Sequence, residues 1–179
     1  LIDGLNEHQR EAVASEQSNM LVLAGAGSGK TKVLVHRIAW LLKVENLSPH
    51  SILSVTFTNK AASEMRSRVE QLLGGHLGGI WLGTFHGIAH RLLRSHYHEV
   101  GLPEAFQIID SDDQYRMIRR LLKSLNLDEK QNPPKQIQWY INNKKDEGLR
   151  AKHIDTQGNP LENIMRQVYQ AYQEACDRS

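Results

Sequence analysis

Cysteine is nearly missing from this sequence. Cys176 stands alone among 179 residues, so no disulfide can close within the chain, and a reducing cytoplasm is the expected setting. Long apolar runs are missing as well. None approaches the roughly 18 residues a membrane span requires, and Leu1-Ile2-Asp3-Gly4 has no basic region leading into an apolar core, so no leader peptide is expected. Neither sign of charge dominates: 22 basic and 20 acidic residues leave +2, and neither half is a basic arm. Charge alone therefore does not argue for nucleic acid, although a patch confined to a groove would escape the count. Repeats and low-complexity tracts do not occur. With 40% apolar residues, the chain can bury a core and has room for one large domain or one and a half small ones.

What is present is organised around Ala24-Gly25-Ala26-Gly27-Ser28-Gly29-Lys30-Thr31. An apolar run, Met20 to Leu23, precedes it and predicts a buried strand. Helical apolar spacing from Val33 to Val44 follows. Strand, glycine loop and helix start make a phosphate cradle, with backbone N–H groups and the helix N-terminus turned toward anionic oxygens. Lys30 is placed to reach the outer phosphates, and the Thr31 hydroxyl to help hold Mg²⁺. Ala24 stands where the first glycine of G-x-x-x-x-G-K-T is usual, yet three of the next five residues are glycine, so the loop can still bend.

Before the loop, Leu5 to Val13 reads as a short helix with Asn6 as N-cap. Gln9, three residues on, either closes a capping box or reads an adenine edge, since its amide offers a donor and an acceptor. After the loop, Ser51–Phe57 and Ile80–Phe85 read as further strands, each followed by a helix. The first of these helices turns Ala62, Met65, Val69 and Leu72-Leu73 to one face and stops at Gly74-Gly75. The second carries Ile88, Ala89, Leu92 and Leu93. The alternation predicts a parallel α/β sheet with helices on both faces. From about residue 95 strand signals fade and three helices follow. Ser111 with Gln114 suits a capping box, Pro133-Pro134 opens the second helix, and Asn159-Pro160 with Glu162 opens the third. Residues 1–94 and 95–179 are thus expected to be separate units. Both ends read as cut, since Leu1 rather than Met begins the chain and the last helical pattern runs to Ser179 without a stop signal.

Hydrolysis of a nucleotide needs carboxylates for metal and water, normally Asp-Glu after a buried strand. The one lookalike, Phe106 to Asp110, is short and runs into a helix start. Asn59-Lys60 lacks the aspartate of a guanine-reading motif, because Ala61-Ala62 follows. Two predicted strand ends share another feature: Phe57-Thr58-Asn59 and Thr84-Phe85-His86 each set a phenylalanine beside hydroxyl and amide donors at a carboxyl edge, where open α/β sheets bind ligands. Bases could stack there while Thr, Asn and His bond phosphates. Both phenylalanines could equally be core. Trp81 reads as core, and the histidine pairs lack the partners of a metal site.

The runs Leu5-Asn6-x-x-Gln9-x-x-Ala12-Val13, Ala24 to Thr31, Thr56-Phe57-Thr58-Asn59-Lys60-Ala61-Ala62 and Gly83-Thr84-Phe85-His86 resemble, in order and rough spacing, the Q motif and motifs I, Ia and Ib of UvrD/Rep-type superfamily 1 DNA helicases. Gln138 to Asn142 and Tyr169 to Asp177 resemble the family's helical 1B subdomain. The resemblance implies a partial RecA-like, P-loop 1A domain followed by part of 1B. It implies that Gln9 bonds the adenine of ATP, that Ala24 through Thr31 cradle phosphates, that Lys30 and Thr31 serve catalysis, and that Thr31 is a Mg²⁺ ligand. Phe57, Thr58, Asn59, Thr84 and His86 would lie along single-stranded DNA. Lys32 stands where the family often has an adenine-stacking arginine, and an ammonium has no guanidinium plane.

The family's activity is ATP-driven 3′-to-5′ movement on single strands and at duplex junctions, with repair proteins as partners. A fragment severed before the Asp-Glu pair would be monomeric and would neither hydrolyse ATP nor unwind DNA. Two alternatives stand beside it: a self-contained nucleotide switch with a protein partner, and a structural α/β domain.

Overall fold

A computed structural model describes residues 1–178, which form two compact units, one of residues 1–102 and one from Pro103 onward. The first holds helices α1 (Glu7–Ala14), α2 (Lys30–Lys43), α3 (Asn59–Leu73) and α4 (Phe85–His96), with strands β1 (Leu53–Thr56) and β2 (Trp81–Thr84). The second holds α5 (Ser111–Ser124), α6 (Pro134–Asp146) and α7 (Pro160–Asp177).

Local chemistry sets most of these boundaries. Asn6 caps α1 through the capping box that its spacing predicts: its Oδ1 accepts from the Gln9 amide at 2.9 Å, and Gln9 Oε1 accepts from the Asn6 amide at 3.1 Å. Gly29 starts α2 and Gly74 ends α3, both in the left-handed region (φ 87° and 69°) that glycine enters without steric cost. Thr58 and Thr84 cap α3 and α4 by accepting from the amides of Ala61 and Gly87, both at 3.1 Å.

β1 and β2 pair in parallel with Thr56 opposite Thr84, and α3 crosses between them. Val35, Ile38, Ile52, Met65, Val69, Leu77 and Ile80 form the core of this unit. The glycine-containing turn before β2 is tied back to α3, since Arg66 donates to the Leu77 carbonyl and Glu70 accepts from the Leu77 amide.

The sheet departs from expectation. Among the described residues it has two strands, not three, because Met20–Leu23 forms no strand. Leu21 and Leu23 are 82% and 84% exposed. Apolar residues report an appetite for burial, but a strand also needs a neighbour for its N–H and C=O groups. None of the described strands lies in register with this run. Two smaller corrections concern β2 and the helix after it. Trp81 is only half-buried, its ring covered by the Arg91 guanidinium at 4.1 Å, and on α4 Ile88 is buried while Leu92 is exposed.

In the second unit Ile118, Leu122, Ile137, Ile141, Val168 and Tyr169 meet at the centre of the three helices. Asp110, not Ser111, caps α5, accepting from the Asp113 amide at 2.8 Å. The helix therefore starts one residue earlier than the capping-box reading requires, and Gln114 turns inward. Its Nε2 donates to Asn142 at 2.8 Å and its Oε1 accepts from Gln138 at 3.0 Å. Asn159 caps α7 at the amides of Leu161 and Glu162, as its position before Pro160 predicts. No helix among the described residues is long and apolar enough to cross a membrane.

Candidate functional site

The glycine loop is exposed from Ala24 to Ser28, with Gly29 half-buried, and feeds directly into the first turn of α2. Gly27 (φ 74°) and Gly29 (φ 87°) bend it, and a Cβ at Gly25 or Gly27 would meet nothing within 4 Å. The loop is thus open on the side away from the helix. Ser28 braces it, with Oγ donating to the Gly25 carbonyl at 2.7 Å. Lys30 Nζ folds back onto the carbonyls of Ala24 and Gly25, at 3.1 and 2.7 Å. These are neutral acceptors in a solvent-exposed place, so a phosphate oxygen, as a charged acceptor, would compete with them effectively. Thr31 is exposed on the first turn of α2. The exposed loop, its bends and the helix start behind it fit phosphate oxygens; Thr31 is the residue here that could hold Mg²⁺.

Gln9 belongs to this loop in space as well as to α1. While Oε1 closes the capping box, Nε2 donates to the Ser28 carbonyl at 3.2 Å, close to where a Cβ on Gly29 would sit. The capping-box reading of Gln9 holds, and the same amide touches the glycine loop; an adenine edge would have to displace these two bonds. Lys32 points elsewhere. Its Nζ donates to the Gly4 carbonyl at 2.7 Å.

At the carboxyl ends of β1 and β2, the register of Thr56 with Thr84 carries the next residues side by side. Phe57 and Phe85 stack with ring centroids 5.4 Å apart at 45°, and they are 89% and 55% exposed. The core alternative for this pair is excluded. Each ring sits beside the N-terminus of a helix, α3 or α4, and Asn59 and His86 are exposed on the first turns of those helices. Thr58 and Thr84 spend their hydroxyl acceptors on capping, so they shape these helix ends first and could meet a ligand second. Residue patterning singled out both rings but could not place them against each other, because only the pairing of distant strands brings them together.

A cleft of about 440 Å³ links the two regions, lined by Lys30, Thr31 and Leu34 from α2 and by Thr56, Phe57 and Thr58 from the β1 edge. Asp110, the lookalike for a metal-binding carboxylate, has its side chain on the α5 amides. Among the described residues no group of three or more His, Cys, Asp or Glu could hold a metal.

A glycine loop opening a helix beside the carboxyl edge of parallel strands is the arrangement of mononucleotide-binding α/β proteins. More narrowly, the chain belongs to the UvrD/REP helicase N-terminal domain family, which it matches over residues 5–179. It is 67% identical to DNA helicase II of Salmonella typhimurium and 66% identical to that of Escherichia coli, in each case along the whole of this chain. The ATP-dependent DNA helicase PcrA of Staphylococcus epidermidis is 42% identical over 180 residues. The chain spans about a quarter of the length of these relatives, 25% in each case.

Proposed function

We propose that this chain is the leading part of an ATP-dependent DNA helicase that moves 3′ to 5′ along single-stranded DNA in repair, with ATP and Mg²⁺ as cofactors. The observation that carries the reading is the shared cleft, in which Lys30 and Thr31 stand opposite Thr56, Phe57 and Thr58. The phosphate grip and the aromatic strand edge thereby belong to one region, as a motor coupling nucleotide to strand requires. The relatives' names, DNA helicase II and ATP-dependent DNA helicase PcrA, support the same conclusion.

On this reading residues 1–94 are part of a RecA-like domain and 95–179 part of its helical 1B insertion. The loop from Ala24 to Thr31 holds the triphosphate, with Lys30 leaving the Ala24 and Gly25 carbonyls for the outer phosphates. Thr31 holds Mg²⁺, which neutralises phosphate charge when bound. Gln9 stands at the loop to read the base. Phe57 and Phe85 offer faces for bases, and Asn59, His86 and the starts of α3 and α4 offer donors to phosphates. The strand path thus reads phosphate and ring face, not sequence.

The carboxylates that would activate water are not in this stretch, so the chain should bind nucleotide weakly and neither hydrolyse ATP nor unwind DNA. Two measurements test the proposal. Anisotropy of a labelled oligo-dT should report binding that Phe57→Ala weakens about tenfold, since a stacked base contributes roughly 1–3 kcal/mol. Unchanged binding would remove Phe57 from the strand path. Multiple-turnover, DNA-stimulated ATP hydrolysis abolished by Lys30→Ala would overturn the expected inactivity. Tight nucleotide binding by the chain alone would favour a self-contained switch, because half a cleft should bind poorly.

A further inference from the structure

The turn before α1 and α1 itself are held by cations that donate to backbone carbonyls. Arg10 gathers the turn: Nε donates to the carbonyls of Ile2 and Leu5 at 3.1 and 2.9 Å, and Nη2 to that of Asp3 at 3.1 Å. Two residues of α2 then tie this body to the helix that the phosphate loop opens. Arg37 Nη1 donates to the carbonyls of Val13 and Ser15, both at 2.7 Å, at the far end of α1. Lys32 Nζ donates to the Gly4 carbonyl at 2.7 Å, at the near end. Between these ties lies Gln9, whose Nε2 touches the Ser28 carbonyl at 3.2 Å.

We propose that Lys32 is a positioning residue: by pinning the turn before α1 to the first turn of α2, it sets where the Gln9 amide stands relative to the phosphate loop, and so governs base selectivity at the nucleotide site. The selectivity clause rests on the proposed nucleotide reading; the clamp itself does not. The geometry separates this role from two others open to a lysine beside a phosphate loop. A phosphate cation would face the loop, where Lys30 already lies against the Ala24 and Gly25 carbonyls. A residue stacking on the base would present a flat, delocalised group, which an ammonium lacks. A compact ammonium donating to a carbonyl at short range is suited to a tie between two segments distant in sequence. Lys32 and Gly4 are 28 positions apart, so the contact links the entry of α1 to α2 across the whole loop. The near end depends on it more than the far end, because Arg37 makes two bonds to Lys32's one. Loss of Lys32 should leave α1 hinged at Arg37, with Gln9 on the arm that swings.

The test is made on the chain itself, with Lys32→Met, which keeps the length of the stem, and with Lys32→Arg, which keeps a donor. Amide exchange is followed by NMR without nucleotide. Then ATP, GTP and inorganic tripolyphosphate are titrated to millimolar concentration. Lys32→Met should speed exchange at Leu5 and Asn6 about fivefold, because their partners are Ile2 O and Gln9 Oε1 within the pinned body. It should also erode the preference for ATP over GTP while leaving tripolyphosphate affinity unchanged. Lys32→Arg should restore both protection and preference. Unchanged exchange in Lys32→Met overturns the clamp. An equal loss of ATP, GTP and tripolyphosphate binding also overturns the proposal, making Lys32 a phosphate cation. If the unmodified chain binds neither ATP nor tripolyphosphate, the nucleotide reading and the selectivity clause fail together, and the exchange arm alone decides the clamp.

Discussion

Gln114 shows what a single residue conceals. From spacing it is the third-position partner of a Ser111 cap; in the structure it is buried and joins all three helices of the second unit, through Asn142, Gln138 and the hydroxyl of Tyr172. The difference is one residue of phase. Once Asp110 supplies the cap, position 114 rotates from the helix entrance to the core face, and no local preference distinguishes the two registers. The tyrosines of this core carry a testable consequence. Burial first, then the Glu162 carboxylate, pushes the Tyr140 phenol up to about 12, and burial with Cys176 nearby pushes Tyr172 up to about 12 as well. Their ordinary value is 10.0, so between pH 10 and 12 the folded chain keeps protons that the unfolded chain has lost. Folding stability from these groups is therefore complete below about pH 10 and is lost as pH rises through the folded value. Urea unfolding at fixed pH steps should show this decline. Replacing both residues by Phe should flatten it above pH 10, and an unchanged slope would assign the alkaline loss to other groups.

Among elements, helix entrances were the most legible and strand partners the least. Asn6 and Asn159 cap the helices they were expected to open and Gly74 supplies the stop on α3, whereas Thr58 and Thr84, read from sequence as ligand donors, proved to be caps as well. These are local facts, decided within four residues. The pairing of Phe57 with Phe85 is not local: it follows from Thr56 standing opposite Thr84, 28 positions apart in the chain. Patterning therefore identified both strand ends but left open whether the rings were core or surface. The entrance of α5 gives the sharpest element-level test, because Asp110 is both a helix cap and the chain's one lookalike for a catalytic carboxylate. Asp110→Ala should destabilise the fold by about 1 kcal/mol, while Asp110→Asn, which can still cap, should cost only a few tenths. Ser111→Ala should be close to neutral. Chemical unfolding followed by circular dichroism measures all three. A large loss in Ser111→Ala with none in Asp110→Ala would move the cap back to the predicted position.

Across the whole chain, the apolar run ahead of the phosphate loop is where composition and structure part. A buried strand was expected at Met20–Leu23, since Leu and Val in succession normally mean burial on both faces. Yet Leu21 and Leu23 are more than four-fifths exposed, and Leu53 on β1 is 60% exposed. An exposed apolar run such as Met20–Leu23 marks a segment that other protein covers. The helicase reading supplies the cover, because the chain matches only a quarter of the length of its relatives, and further strands of the same polypeptide would complete the sheet. Two opposite outcomes follow for one variant. In this chain Leu21→Glu with Leu23→Glu should change unfolding free energy by less than about 0.5 kcal/mol, since nothing packed is disturbed. Val35→Ala, at a site only 2% exposed, should cost about 2 kcal/mol in the same assay and calibrate it. In a polypeptide extended to the relatives' full length, the Leu21→Glu/Leu23→Glu pair should become severely destabilising, because each carboxylate would be forced into a sheet interior without a partner. Tolerance in both lengths would mean that the run is surface in the complete protein too, and the phosphate loop would then lack the strand that is meant to hold it.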